Sequence, residues 1–134
     1  MKLEVIYDGN CNLCVTFTQL LEQFDRGRLF NYVPMQAEAT LAGWGITPKD
    51  CEKGIILLNA ENPAERWQGS DAIEEITRKL PLGAAFIAAY RALPGAKLAG
   101  DRVYAQVRDN RYDWFGKRSE TYESEYVADC GCGK

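Results

Sequence analysis

The stretch that decides the fold is Leu3-Glu4-Val5-Ile6-Tyr7-Asp8-Gly9-Asn10-Cys11-Asn12-Leu13-Cys14. Its first five residues alternate with the two-residue period of a β-strand, and Asp8-Gly9 is typical of the turn that ends a strand. From Cys11 onward the hydrophobic residues recur with the period of an α-helix. The stretch therefore predicts a strand, a tight turn and a helix that begins with the motif Cys-x-x-Cys.

The residues that follow extend this start into a β-α-β unit. Arg26-Gly27 is a typical helix end, and residues 29–33 predict a second strand that ends at Pro34. Strand, helix and strand then lie within one short segment, as in a parallel crossover. The face of the helix that we expect to be buried consists of Leu13, Phe17, Leu20, Leu21 and Phe24.

Further elements are predicted along the rest of the chain. The continuous apolar run 55–58 predicts a central buried strand, with residues 65–68 as its antiparallel partner. Three helix starts are expected from their capping residues. These are Thr47-Pro48, Ser70 or Asp71 with Glu74 in capping-box spacing, and Asp101.

The composition excludes several classes of function. The 134 residues, 46% hydrophobic and 26% charged, suit a single globular domain. Sixteen Lys and Arg against 19 Asp and Glu give a net charge of -3, which argues against general binding to nucleic acid or to an anionic membrane. There is no histidine, so mechanisms with a histidine base and metal sites with histidine ligands are excluded. Without a secretory signal pattern or an apolar run of membrane-helix length, the protein is expected in the cytoplasm.

Cys11 and Cys14 are the strongest chemical signal in the sequence. A Cys-x-x-Cys motif beside a β-α-β pattern in a cytosolic chain is typical of thioredoxin-like redox proteins. The free N–H groups and the dipole at a helix N-terminus should lower the pKa of Cys11. Cys14, one turn further in, is expected to be more buried and less reactive. Such a pair can exchange disulfides, with Cys11 as nucleophile and Cys14 as the resolving thiol.

The same residues leave alternatives open. Cys11 and Cys14 could join Cys130 and Cys132 of the C-terminal Cys-Gly-Cys in a zinc or iron–sulfur site. Cys130 and Cys132 could also form a second dithiol that exchanges with the first, or be an incidental exposed pair. Asp8 either handles a proton for Cys14 or caps the Asp8-Gly9 turn.

The run Tyr7-Asp8-Gly9-Asn10-Cys11-Asn12-Leu13-Cys14 resembles the signature of the DCC family of predicted thiol-disulfide oxidoreductases. That family is named for an Asp and two Cys, which Asp8, Cys11 and Cys14 match. The resemblance covers residues 3–118 and implies an α/β fold with a thioredoxin-like central sheet, flanking helices and additional C-terminal helices. Other stretches similar to the family are Gly69-Ser70-Asp71-Ala72, Leu80-Pro81-Leu82-Gly83, Leu93-Pro94-Gly95, Asp101-Arg102-Val103-Tyr104, Asn110-Arg111-Tyr112 and Trp114-Phe115-Gly116-Lys117-Arg118.

Two departures from the family pattern stand out. Asn12 follows the first cysteine where members often have proline. Glu52-Lys53-Gly54 precedes Ile55, where thioredoxin-like oxidoreductases usually have a proline before the third strand. These departures keep open a third possibility, an interaction domain with a vestigial redox site.

The resulting expectation is a thioredoxin-like domain over residues 1–118 and an acidic, mobile tail over residues 119–134. We expect the basic stretch 102–118 to pack on the sheet rather than to bind nucleic acid. No organic cofactor is implied, because the dithiol itself carries two electrons. The expected partners are a disulfide-containing protein or small thiol and an electron donor.

Overall fold

The computed structural model describes residues 3–52, 54–80, 83–124 and 126, and a four-stranded sheet organises them. Its strands are β1 (Leu3–Tyr7), β2 (Phe30–Pro34), β3 (Ile56–Leu58) and β4 (Arg66–Gln68), in the order β2-β1-β3-β4. β1 and β2 are parallel, whereas β3 is antiparallel to both β1 and β4. The predicted α/β class with a thioredoxin-like central sheet is confirmed.

Six helices are found in the described part of the chain. They are α1 (Asn12–Asp25), α2 (Glu38–Ala42), α3 (Pro48–Cys51), α4 (Ser70–Lys79), α5 (Gly83–Ala92) and α6 (Ala96–Phe115). α3 begins as expected, because Thr47 and Asp50 exchange side-chain and backbone hydrogen bonds in a capping box with Pro48 at the first position. Within these ranges, no helix is long and apolar enough to cross a membrane.

The core occupies both faces of the sheet, since successive side chains of a strand point to opposite sides. On one face, Val5 and Tyr7 pack with Leu21 of α1 and with Ala72 and Ile76 of α4. On the other face lies a second cluster, which consists of Ile6, Val33, Leu41, Ile46, Cys51, Ile56 and Leu58. β1 is therefore fixed from both sides, and so is the loop that follows it.

The buried face of α1 is only in part the one expected. The prediction is wrong for Leu20 and Phe24, which are 48% and 74% exposed, and confirmed for Leu21, which is buried, while Phe17 packs against the core. The buried residues of α1 are Val15, Thr18, Leu21, Glu22 and Asp25. Two of these positions carry carboxylates that bond other elements. Asp25 accepts the backbone N–H groups of Leu29 at 2.8 Å and Phe30 at 3.1 Å, which connects α1 to the start of β2.

Two of the predicted helix caps are wrong. α4 begins after Gly69, which takes the cap position with φ of 68°, and Glu74 pairs with Lys97 at 3.0 Å instead of closing a capping box. α6 begins after Gly95, so Asp101 lies inside the helix and pairs with Lys97 one turn earlier at 2.5 Å. In both cases the spacing predicted that the acidic side chain caps a helix, but the side chain forms an ion pair with Lys97 instead.

The chain returns to α1 and the sheet after α6. Tyr122 and Ser124 donate hydroxyl hydrogen bonds to the buried Glu22, the first at 2.6 Å. The carbonyl of Tyr126 accepts the backbone N–H of Tyr32 in β2 at 2.7 Å. These residues belong to the tail expected after residue 118. Residues 125 and 127–134 lie outside the described ranges, and the boundary at 118 stays a prediction.

Candidate active site

The Cys-x-x-Cys motif lies where the chain leaves β1 and enters α1. Cys11 is the N-cap residue of α1, with extended backbone angles of φ -99° and ψ 120°. Its Sγ accepts a hydrogen bond from the backbone N–H of Cys14 at 3.3 Å. Free N–H groups and the dipole at a helix N-terminus favour negative charge. The local sequence therefore brings one sulfur to the start of the helix and the second to its first turn.

The two thiols have opposite electrostatic surroundings. A hydrogen bond from the Cys14 side chain outweighs the effect of burial and lowers the pKa of the Cys11 thiol to about 7. The same side-chain hydrogen bond, together with burial, raises the pKa of Cys14 far above its usual range. At neutral pH, a large fraction of Cys11 is therefore thiolate, whereas Cys14 keeps its proton.

The exposure of the two cysteines is the reverse of that expected. Cys11 is fully buried, with 0% of its surface exposed, whereas Cys14 is partly exposed. Residues 116–122, here called the C-terminal strap, cover Cys11. Lys117 forms an isolated antiparallel bridge with Cys11, and the N–H of Arg118 donates to the carbonyl of Asn10 at 2.6 Å. The strap joins the loop from a distant part of the sequence, so local patterns gave no sign of it.

The strap continues along the whole loop that precedes Cys11. The hydroxyl of Thr121 donates to Asn10 Oδ1 at 2.7 Å, and the N–H of Tyr122 donates to the carbonyl of Gly9 at 2.9 Å. A Cβ atom on Gly9 would lie 2.6 Å from Thr121 Cγ2, too close for a real contact. Glycine at this position therefore permits the close approach of the strap.

Asp8 is buried beside the dithiol and accepts several hydrogen bonds. Its Oδ1 accepts the backbone N–H of Asn10 and the side-chain amide of Gln36, both at 2.9 Å. Its Oδ2 accepts the hydroxyl of Tyr112 and lies 3.6 Å from the guanidinium of Arg111. The Asn10 contact is typical of an Asp-capped turn. The other contacts join the carboxylate to a polar network next to the two cysteines.

Arg111, Tyr112 and Gln36 were not among the site residues expected from the sequence. Arg111 and Tyr112 lie near the end of α6, with the guanidinium 5.0 Å from the centre of the Tyr112 ring. Gln36 follows β2. The one signal in the sequence was the stretch Asn110-Arg111-Tyr112, which resembled a family signature but carried no indication of a contact with Asp8.

A cavity of about 800 Å³ opens beside Cys14. Its walls come from α1, α4, α5 and α6, and Asp8 and Arg111 lie at the same wall as Cys14. Cys51, at the end of α3, also lines the cavity, and burial raises the pKa of its thiol to about 11. Cys51 is therefore a neutral thiol at physiological pH, unlike Cys11.

A comparison with known families agrees with this geometry. Residues 5–117 match the DCC1-like thiol-disulfide oxidoreductases, a range that contains Asp8, Cys11, Cys14 and the start of the strap. The chain belongs to this family. The resemblance drawn from the sequence is thereby confirmed. DCC1-like membership supports thiol-disulfide oxidoreduction as the class of reaction and a thiol or disulfide as the kind of substrate.

Two relatives are similar to this DCC1-like chain over most of its length. The uncharacterized protein YuxK of Bacillus subtilis (strain 168) is 27% identical over 118 residues, which cover 87% of this chain and 82% of YuxK. A chloroplastic DCC family protein of Arabidopsis thaliana is 29% identical over 123 residues, which cover 89% of this chain and 67% of that protein. No solved structure matches the chain significantly.

The predicted four-cysteine metal site and the predicted second dithiol both need Cys130 and Cys132. Cys130 and Cys132 lie outside the described residues, so that site and the second dithiol both stay predictions. Within the described ranges, three carboxylates of α4 and α6 lie close enough together to hold a cation. The ammonium of Lys97 already pairs with them at 2.7, 3.0 and 2.5 Å; they are Asp71, Glu74 and Asp101.

Proposed function

We propose that the chain transfers electrons between thiols and disulfides through Cys11 and Cys14. The observation that carries this proposal is the contact between them, in which the N–H of Cys14 donates to Cys11 Sγ at 3.3 Å. Hydrogen bonding from Cys14 also lowers the pKa of Cys11 to about 7. The thiolate is the nucleophile in disulfide exchange, which makes Cys11 the attacking sulfur at neutral pH. Family membership supports the same class of reaction.

In the reductive direction, the Cys11 thiolate attacks one sulfur of a substrate disulfide. A bond forms between these two sulfurs, the substrate S–S bond breaks, and the departing thiolate takes up a proton. Cys14 then loses its proton and attacks Cys11 Sγ, which releases the second substrate thiol. The two cysteines end as a disulfide and the substrate has gained two electrons. A thiol donor must reduce this disulfide before the next turnover.

Asp8 is proposed to accept the proton that Cys14 loses. The raised pKa of Cys14 makes this deprotonation the demanding step. Tyr112 and Gln36 hold the Asp8 carboxylate in place, and its negative charge raises the pKa of both cysteines. Loss of this charge should make the first attack of an Asp8→Asn variant at least as fast as in the wild type. The resolving step should be slower, because the variant lacks the carboxylate that accepts the proton of Cys14.

The test is a single-turnover reaction of the fully reduced protein with excess glutathione disulfide, stopped by alkylation and read by intact mass. Cys11→Ser should abolish exchange at this site, because no activated thiolate remains. Cys14→Ser should stop at the mixed disulfide on Cys11. Asp8→Asn should accumulate that mixed disulfide and close it slowly, whereas Asp113→Asn, which alters an exposed carboxylate of α6, should behave like the wild type.

Normal exchange by Cys11→Ser would overturn the assignment of the nucleophile. Equal rates for both steps in Asp8→Asn and in the wild type would remove Asp8 from the mechanism. Thiols that resist alkylation in reducing buffer until a chelator is added would instead support the metal site with Cys130 and Cys132.

We also propose a reducing compartment, the cytoplasm, as the location of the protein, because free thiols persist there. Its substrate would be a protein disulfide or a small disulfide, and its electron donor a thiol. Alkylation of thiols at the moment of cell lysis, followed by peptide mapping, tests this proposal. Mainly reduced Cys11 and Cys14 are expected, and a fully oxidised pair would contradict it.

A further inference from the structure

The cavity beside Cys14 has no part in the exchange steps described so far. We propose that it binds the apolar portion of a small disulfide substrate, so that the dithiol acts on lipophilic low-molecular-weight disulfides rather than on folded proteins. This inference rests on the proposed function of Cys11 and Cys14 and adds the chemical class of their substrate.

The cavity has the size and the lining of a small-molecule site. Its volume of about 800 Å³ falls within the range of roughly 300–1,000 Å³ that such sites occupy. Apolar side chains, among them Phe17, Ile73 and Ile87, form most of the wall. Next to Cys14 the wall becomes ionic, because Asp8 and Arg111 lie there at 3.6 Å from each other. A molecule with an apolar body and a polar, sulfur-containing end matches this arrangement.

Helix α6 forms one wall of the cavity and contributes little to a core. None of its residues, all of which are described, is buried. The lining includes apolar side chains that are open to solvent, since Phe86 is 66% and Val103 is 62% exposed. An apolar ligand in the cavity would remove their surface from water, which favours binding. The face of α6 that lines the cavity carries small and apolar residues at helical spacing, namely Ala96, Ala99, Gly100, Val103 and Val107.

Ion pairs and hydrogen bonds fix α6 in its position relative to the other walls of the cavity. Near its start, Lys97 pairs with carboxylates of α4. In its middle, the hydroxyl of Tyr104 accepts the backbone N–H of Ile55 at 3.1 Å. Near its end, the hydroxyl of Tyr112 donates to Asp8. These three connections fix the position of the helix at the edge of the cavity, so the space is part of the fold.

The accessible side of the dithiol faces this cavity. Cys14 lines it, whereas Cys11 is fully buried under the C-terminal strap. A disulfide on the surface of a folded protein is too far from Cys11 unless the strap is displaced. A small disulfide inside the cavity would lie against Cys14. Because Cys11 does not line the cavity, its attack on that disulfide requires the Cys14 side chain to move aside.

A single turnover in the cavity needs no reagent other than the dithiol and the substrate disulfide. The Cys11 thiolate bonds to one substrate sulfur, the substrate S–S bond breaks, and the other sulfur leaves as a thiolate that takes up a proton. Cys14 then bonds to Cys11 and expels the second substrate thiol. Two electrons pass from the dithiol to the substrate.

The test uses the full-length reduced protein and the uncharged disulfides of cysteamine N-acylated with acetyl, butanoyl or hexanoyl groups. We expect the rate constant for oxidation of the dithiol to rise up to about fourfold for each methylene that enters the cavity, which corresponds to roughly 0.8 kcal/mol per buried CH₂. The matched thioethers, in which a methylene replaces one sulfur, cannot exchange. They should bind with the same dependence on chain length in titration calorimetry.

A pair of variants locates the binding site. Ala99→Phe introduces a ring at the cavity wall and should remove the dependence on chain length. Ala88→Phe, at an exposed alanine of α5 that does not line the cavity, should retain it. Circular dichroism and thermal unfolding show whether each variant is folded. If Ala99→Phe does not fold, the dependence of rate and affinity on chain length in the wild type alone tests the inference.

The outcomes separate this inference from the proposed function. Rates and thioether affinities that do not depend on chain length overturn the inference, while exchange with glutathione disulfide would leave the oxidoreductase role standing. Chain-length-dependent thioether binding without any disulfide exchange overturns the oxidoreductase role, and the substrate assignment with it. Unaltered chain-length dependence in a folded Ala99→Phe variant would also overturn the inference, because the apolar group would then bind elsewhere.

Discussion

At the scale of single residues, one hydrogen bond makes two neighbouring cysteines unlike each other. Hydrogen bonding from Cys14 lowers the pKa of Cys11, and the same interaction together with burial raises the pKa of Cys14. Position in the helix adds to the difference, since Cys11 is the N-cap of α1 and Cys14 lies in its first turn. The proposed nucleophile, Cys11, and the proposed resolving thiol, Cys14, are thus distinguished by local chemistry, although Cys11 is the more buried of the two.

A Cys14→Ala variant measures this hydrogen bond. Removal of the thiol donor takes away the largest favourable effect on the Cys11 thiolate, so the pKa of Cys11 should rise from about 7. Only the thiolate is alkylated, and below the pKa its fraction falls about tenfold per pH unit. The midpoint of the profile of alkylation rate against pH should therefore move upward. An unchanged midpoint would mean that the helix N-terminus and the backbone N–H, rather than the Cys14 thiol, control the pKa.

At the scale of elements, the first turn of α1 is hydrogen-bonded to the end of α6. Its first residue, Asn12, donates its side-chain amide to the carbonyl of Phe115 at 2.8 Å, and its N–H bonds the carbonyl of Gly116 at 3.3 Å. The end of α6 is thereby attached beside Cys11. The helix that Cys11 caps is therefore also the helix to which the strap is attached.

An Asn12→Ala variant should loosen this attachment. A single neutral hydrogen bond contributes about 0.5–1.5 kcal/mol, so opening of the strap, and alkylation of Cys11 through it, should become roughly 2- to 10-fold faster. Asn110→Ala removes a comparable exposed contact that stays inside α6 and is the matched control. Peptide mapping after brief exposure to iodoacetamide gives the rate at Cys11. Equal rates in both variants would show that reagents reach Cys11 by a path that does not pass the strap.

At the scale of the whole molecule, the chain beyond α6 fastens the two ends of the described structure together. Tyr122 and Ser124 bond the buried Glu22 of α1, and the backbone N–H of Ser124 also donates to the hydroxyl of Tyr7 in β1 at 3.2 Å. A buried carboxylate requires such partners, because an unsatisfied one carries a large desolvation penalty. Tyr122 and Ser124 therefore stabilise the fold, and they also anchor the C-terminal side of the strap near Cys11.

A Ser124→Ala variant tests this role in stability. It leaves one oxygen of the buried Glu22 without its hydroxyl donor, so the free energy of unfolding should fall by about 1–3 kcal/mol. Urea unfolding should show a lower midpoint with an unchanged slope. Ser119→Ala, at an exposed residue, should change the midpoint little. A Ser124→Ala protein as stable as the wild type would mean that Tyr122 alone satisfies Glu22.

The errors of prediction share a physical origin. The apolar positions of α1 gave no sign that Glu22 and Asp25 are buried. Glu22 is satisfied by Tyr122 from far along the chain, and Asp25 by the backbone at the start of β2. Glu74 and Asp101 had cap spacing, yet Lys97 attracts both. Local patterns treat a charged residue as exposed or as a cap, and they do not show which partner its side chain meets in the folded protein.

The sequence by itself determined the strand–helix–strand start, the four strands, the start of α3 at Thr47-Pro48 and the place of Cys11 and Cys14 at a helix N-terminus. These features depend on hydrophobic periodicity and on neighbours within one or two helical turns, which a sequence records directly. Only the tertiary structure decided that Cys11 is buried, that Tyr112 and Arg111 meet Asp8, and that a cavity opens beside Cys14. Those features arise where α6 and the strap pack against the first loop, and contacts between segments so far apart leave no periodic trace in the sequence.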